Sequence, residues 1–319
     1  MESFDKAMDW IKRNSIEGKG IIVSSKKRVI YPEVTGYYIP SLLKFNEVEL
    51  AESYARYMCE IQTSEGAWLD SDMKVSFIFD SGQVLKGLMA IYDRMPEVKP
   101  NIIRGIDWIL SNMDESGRLV QRNSDVWGKD ESHCNDLIHL YVLSPIYEAA
   151  EKFGIPEYKE KADRILHYYV DNNLDKILNY SMFSHFYAYV IEALVDCNRK
   201  DLAKKAMEQM EKYTKANGAI KAYNNVNWCC SVATFQFAVI WYKLGRPDLA
   251  NRSYEYMCSL QNSSGGWYGS YYGSALETFC LRVLARLKLT RNLYAYDREV
   301  SWANKFFLDA TFLRNKVAG

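Results

Sequence analysis

Residues 54–68, YARYMCEIQTSEGAW, and residues 254–267, YEYMCSLQNSSGGW, are two versions of one unit. Each closes a helical run in Tyr-Met-Cys, passes through Gln62 or Gln261 to a Gly-containing turn, and stops on Trp68 or Trp267. Such recurrence signals a repeat architecture, because a single helix–turn unit cannot bury its apolar face alone. Fainter copies of the turn are Gly20-Ile21-Ile22, Gly117-Arg118-Leu119 and Gly218-Ala219-Ile220, each behind an amphipathic run rich in Lys and Glu. Apolar residues spaced i, i+3, i+4, i+7 cover most of the chain and scarcely any segment alternates with period two, so the repeat is helical.

Two kinds of helix alternate around these turns. The first kind, at 4–14, 47–62, 101–112, 158–172, 199–215 and 247–261, has one apolar stripe and a charged face. The second kind, at 33–45, 79–92, 133–152, 185–196, 228–244 and 299–313, is apolar nearly all round, as a helix buried on every side must be. Charged helix, loop, apolar helix and short turn, repeated at roughly 50 residues, describe a closed ring of hairpins with an outer and an inner layer. The expected fold is all-α, an (α/α)6 toroid in which residues 1–319 form a single domain. Residues 275–289 add a further helical pattern inside the last unit, either the inner helix of a seventh hairpin or an insertion near the mouth.

With its Gln62…Trp68 and Gln261…Trp267 turns the chain resembles the α/α-toroid superfamily, which spans six-hairpin glycosidases, polysaccharide lyases, sugar epimerases and terpenoid cyclases with Gln/Trp repeats. Residues 31–40 (YPEVTGYYIP), 79–84 (FDSGQV) and 301–309 (SWANKFFLD) also look like a toroid group found beside cell-surface polysaccharide genes. That resemblance implies a carbohydrate and names no reaction.

Composition narrows the partners. Forty Lys and Arg balance forty Asp and Glu, which removes the electrostatic footprint of a nucleic-acid binder or of a protein drawn to anionic lipid. The seven cysteines are odd in number, scattered and without a CxxC pair, so they read as reduced thiols of a cytoplasmic protein and not as a disulfide frame or zinc cage. The first fifteen residues lack the apolar run of a leader peptide, and no apolar stretch is long enough for membrane insertion. No phosphate-binding loop, dinucleotide fingerprint or GxSxG elbow occurs, so no cofactor is expected.

In a ring of hairpins every outer-to-inner loop lies at one end. The N-termini of the inner helices therefore converge on one mouth, where N–H groups and positive dipole ends suit hydroxyl-rich or anionic ligands. Glu33, Asp80, His133 with Asp136, His185, Trp228 and Glu299 stand at those first turns. His185, Tyr189 and Glu192, at i, i+4 and i+7, make one polar face on an otherwise apolar helix. Asp80 shares a face with Gln83 and Gly87, Glu33 aligns with Tyr37, and His139 follows Asp136 by one turn. Plainer roles exist too: Asp80 suits an N-cap, Glu33 a first-turn carboxylate, and His139 a structural histidine. The second signal is aromatic. Trp127, Tyr223, Trp228, Tyr268, Tyr271 and Tyr272 fall in or beside loops, where flat rings stack on sugar faces, whereas Trp68 and Trp267, in such loops too, serve to lock their turns.

The expected function is that of a carbohydrate-active enzyme with a saccharide ligand. Its catalytic candidates are Asp80, His133, His185, Glu33, Glu192 and Asp136, and its substrate-binding candidates Tyr37, Gln83, Trp127, Tyr189, Trp228, Tyr271, Glu299 and Trp302, with no metal. Hydrolysis needs two carboxyls facing one bond, whereas lyase or epimerase chemistry needs a base such as His185. A non-catalytic glycan-binding toroid would need the aromatic mouth but not the aligned face. Prenyl or terpenoid chemistry is served poorly by LDSD at 69–72, or by Cys229-Cys230, since adjacent residues on a helix point about 100° apart.

Overall fold

The computed structural model describes residues 2–121, 134–272, 275–286 and 293–318. An outer layer is formed by α1 (Glu2–Asn14), α3 (Val48–Glu60), α5 (Lys99–Ser111), α7 (Pro156–Leu178), α9 (Lys200–Glu211) and α11 (Pro247–Cys258). Between them in sequence run the inner helices α2 (Pro32–Lys44), α4 (Ile78–Ile91), α6 (Leu143–Phe153), α8 (Ser184–Asp196), α10 (Ser231–Lys243) and α13 (Ser301–Ala318), with α12 (Ala275–Arg286) inside the connection from α11 to α13. Inner helices touch in the order α2, α4, α6, α8, α10, α13, and α13 packs back on α2. The described residues thus form a closed α/α-toroid of six hairpins, in which α12 is an insertion and not a seventh inner helix.

The layers follow from the two kinds of helix. On α3 only the stripe Ala51, Tyr54, Ala55 and Met58 is buried, while on α10 every residue from Ser231 to Tyr242 is. Inner helices end in a shared way. Asn46, Gly154, Asn198 and Gly245 take a positive φ just past α2, α6, α8 and α10, and the next outer helix starts two residues later. Asn and Gly adopt that left-handed turn at least cost, so the base is built of tight reversals and the longer loops gather at the mouth.

Three inner helices begin later than their apolar runs suggest. The third opens as a 3-10 helix, Asp136–Val142, with Asn135 accepting a hydrogen bond from the Leu137 amide (3.0 Å). In the fifth, Cys229–Cys230 is extended and pairs antiparallel with Ser270–Tyr271, so α10 starts after it. In the sixth, Glu299 belongs to a bridge with Tyr268 ahead of α13. The first and second inner helices cross closely: a Cβ on Gly36 would come within 2.4 Å of the Val84 Cα, and one on Gly87 within 2.2 Å of the Gly36 carbonyl oxygen. No helix among the described residues is long and apolar enough to cross a membrane.

Candidate active site

Pro32 opens α2 and leaves Tyr31 extended before it, which sets Tyr31 at the rim and Glu33 in the first turn. Asp80 is the third residue of α4 and His185 the second of α8, so three inner-helix starts point polar groups at one space. That space is a cavity of about 200 Å³ lined by Tyr31, Glu33, Phe79, Asp80, His185, Phe186, Tyr189, Tyr294 and Trp302. Glu33, Phe79, Asp80, His185 and Tyr189 are buried and form its lower part, while Tyr31, Phe186, Tyr294 and Trp302 keep an exposed edge and form its wall.

The polar groups are tied into two sets. Tyr31 donates to Asp80 Oδ2 (2.8 Å), so Asp80 is not an N-cap. Trp302 Nε1 (3.2 Å) and Tyr37 Oη (3.0 Å) both donate to Glu33 Oε1. The Tyr37 hydroxyl also meets that of Tyr189 (3.1 Å), and Tyr189 reaches His185 Nε2 (3.4 Å). His185 Nδ1 lies 2.6 Å from Gln236 Oε1 on α10. A carbonyl oxygen can only accept, so Nδ1 carries the proton and Nε2 is the accepting nitrogen.

Burial dominates the electrostatics. It lifts the Asp80 carboxyl to about 7, against the hydrogen bond from Tyr31 and with help from Asp70. Burial and then the Asp80 charge push Glu33 well above the ordinary carboxylate range, with Trp302, Tyr37 and Lys305 pulling part of the way back. Two buried carboxyls lining one cavity are therefore both biased towards their protonated forms.

Beneath the cavity the rings of Phe79, Tyr141 and Tyr189 pack with centroids 4.7–6.1 Å apart, and Tyr37 and Tyr189 each pack against Phe306, at 6.2 and 6.0 Å. Under this aromatic floor lies a layer of charge. Lys86 stands over the Tyr141 ring (2.8 Å) and Lys305 over Tyr37 (4.7 Å). Lys243 bridges Glu192 (2.8 Å) and Asp196 (2.7 Å), and Lys305 pairs with Asp309 (2.9 Å).

Of the expected residues, Glu33, Asp80, His185, Tyr189 and Trp302 line the cavity, and Tyr37 closes it from below. Glu192 sits in the charge layer, where burial opposes its ionisation but Lys243, Lys305 and Lys86 outweigh it and hold the carboxyl below its usual range. Asp136 pairs instead with Arg118 (2.7 Å), and His139 faces Tyr169 (3.2 Å): residues three apart eclipse in a 3-10 turn, so the two share one face, and that face is turned to Arg118 and Tyr169. Gln83 bonds back to the Phe79 carbonyl of its own helix (2.9 Å). Glu299 braces the last turn, accepting from Trp10 (2.7 Å), Asn262 (2.7 Å) and Ser264. Trp228 packs behind the cavity on Phe183 and Tyr223, and the buried Tyr271 donates to the Leu260 carbonyl (3.2 Å). His133 and Trp127 lie outside the described residues. Sequence reasoning passed over Tyr31, Tyr294, Gln236 and Lys305. Gln236 carried a signal, as the lone amide in the apolar run of 228–244.

No family model matches the sequence, and no curated protein matches it either. Solved structures do. Over 98% of its length the chain superimposes on 97% of a novel alpha-amylase from Clostridium perfringens, with 16% identity and a TM-score of 0.70. Over 99% it superimposes on 96% of an unsaturated glucuronyl hydrolase from Bacillus sp. GL1, responsible for the degradation of glycosaminoglycan, with 13% identity and a TM-score of 0.73. A glycosidase variant in complex with glucose is similar over 98% of this chain and 96% of its own, with 11% identity and a TM-score of 0.72. The fold is the α/α-toroid that these structures share. At such identities the toroid is what these proteins share, and the chemistry of this chain rests on its own residues.

Proposed function

We propose that the chain is a carbohydrate-active enzyme of hydrolase type that takes the end of a saccharide into the cavity at the mouth. The observation that carries this reading is the pair of buried carboxyls, Asp80 and Glu33, lining one aromatic-walled cavity of about 200 Å³. That volume falls below the roughly 300–1,000 Å³ of sites for drug-sized ligands and suits one sugar ring. Trp302, Tyr294 and Phe186 supply faces for it. Asp80, with its carboxyl near 7, is protonated in a large fraction of molecules at neutral pH and is matched to protonating a glycosidic oxygen. Water then adds to the anomeric carbon and gives up its own proton to the second carboxyl, Glu33, once that group is ionised. The similar glycosidases, one of them a glucose complex, support a saccharide, and the resemblance of 31–40, 79–84 and 301–309 supports a cell-surface polysaccharide as its source. Seven free cysteines support a cytoplasmic location.

A second reading, proton abstraction by a lyase or epimerase, is favoured by the contact of His185 Nε2 with Tyr189. Incubation with a panel of oligosaccharides separates the two. Hydrolysis and elimination both yield new reducing ends, but hydrolysis takes up water and leaves no new double bond, elimination adds ultraviolet absorbance from one, and epimerisation yields neither product. The hydrolase reading stands if reducing ends appear without ultraviolet absorbance and Asp80→Asn abolishes them. It falls if saccharides bind without any product, as a glycan-binding toroid would show, or if only polyprenyl phosphates stabilise the protein.

A further inference from the structure

The inner helices α2 and α8 are the first and fourth of six, so they face each other across the axis of the ring. Tyr37 and Tyr189 meet between them at 3.1 Å, and that contact joins two hydrogen-bonded ends. On one side Tyr37 reaches Glu33 Oε1 (3.0 Å); on the other Tyr189 reaches His185 Nε2 (3.4 Å). We infer that Tyr37 and Tyr189 are a proton wire across the ring, through which Glu33 and His185 share one proton.

The balance is closed within four side chains. With the proton on His185, Nε2–H donates to Tyr189, Tyr189 donates to Tyr37 and Tyr37 donates to Glu33. Three concerted hops, each hydroxyl releasing its own proton as it receives the next, place the proton on Glu33 Oε1 and reverse every bond. The imidazolium becomes neutral, the carboxylate becomes a carboxylic acid, and neither phenol is ever ionised. Burial holds both phenols well above their ordinary range, which disfavours a stepwise path through a phenolate. Gln236 Oε1, at 2.6 Å from Nδ1, accepts the second ring proton, so Nε2 is the nitrogen that faces the wire. Around the wire stand Asp80 on α4 and Lys305 on α13 beside Glu33, Tyr141 and Glu192 beside Tyr189, and Tyr294 beside His185. Asp80 favours the proton on Glu33, whereas Lys305 and the Trp302 N–H favour it on His185. Use of the wire rests on the hydrolase reading: a Glu33 that has taken a proton from water passes it to His185, which lines the cavity and gives it up to water there before the next turnover.

The test is a nuclear magnetic resonance titration of the histidine rings in the full chain, which has four histidines, with His185 assigned through His185→Asn. Glu33→Gln is expected to lower the His185 midpoint by about one pH unit, the effect of losing a nearby carboxylate. In a Tyr189→Phe background the same substitution is expected to move it by less than a third as much. Should Tyr189→Phe fail to fold, as judged by circular dichroism, Tyr37→Phe cuts the same wire one bond closer to Glu33. An unchanged midpoint in Glu33→Gln overturns the wire. So does a shift that survives removal of the hydroxyl, because it then acts through space. Saccharide turnover is scored separately: linked titrations in a protein that cleaves nothing keep the wire and sink the hydrolase reading, and cleavage without linkage does the opposite.

Discussion

At the scale of the residue, Asp80 and Lys86 lie on one helix, α4, and the same burial perturbs them in opposite senses. The folded Asp80 keeps its proton up to about 7, whereas the unfolded chain releases it near 3.8. Between those values the folded state binds the extra proton, so this contribution to stability is complete in acid and is lost as pH rises through 7. Asp80→Asn mimics the protonated form. Thermal melts should therefore show its gain in Tm over the parent growing from pH 5 to pH 8, while turnover falls by about 100-fold or more. Lys86 is the mirror case. Burial lowers its ammonium to about 7, so between 7 and 10.5 the unfolded chain holds the extra proton and stability climbs with pH. Lys86→Met should raise Tm most at pH 6 and least at pH 10. A gain independent of pH in either variant would mean that packing and not charge sets the effect.

At the scale of the element, the crossing of α2 and α4 sets where Glu33 and Asp80 stand. Gly36 and Gly87 let the two backbones touch, and a methyl group at Gly87 would meet the Gly36 carbonyl oxygen, which cannot rotate away. Gly87→Ala should cost about 1–3 kcal/mol or more in denaturant melts, and should reduce turnover further than stability alone accounts for. The repeated turn is a second test. Gln62 Nε2 donates to the Gly66 (2.8 Å) and Asn101 (2.9 Å) carbonyls, tying its turn to the next outer helix, so Gln62→Ala should cost roughly 1–2 kcal/mol. Helices of both layers were legible because burial imposes a period on the sequence, one stripe on α3 and an unbroken apolar run on α10. The start of the third inner helix was not, since a 3-10 turn and an α-turn share the same residue types and differ only in how far each step rotates. Glu33, Asp80 and His185 were legible as polar groups at the start of apolar runs. Tyr31 and Tyr294 come from segments without a period, and only the closed ring brings them to the same wall.

At the scale of the molecule, the first outer helix is latched to the last hairpin. Gln261 donates to the Ser3 carbonyl (2.9 Å), and Trp10 donates to Glu299 (2.7 Å). We therefore expect residues 1–319 to unfold as one unit, with calorimetric and van't Hoff enthalpies that agree. Glu299→Ala strands the Trp10 N–H in the interior and should lower that single transition by about 1–3 kcal/mol without splitting it. Two resolved transitions would show that the ring divides. Among the described residues the Tyr37–Tyr189 contact, with Phe79, Tyr141 and Phe306 packed around it, closes the axis and makes the ring a cup open at the mouth. Arrivals and departures then use the same door. On the hydrolase reading, no polymer slides through for a second cut, and the sugar left behind must go before another chain end can come in. Free product should accordingly act as a competitive inhibitor, raising KM in steady-state assays and leaving kcat untouched.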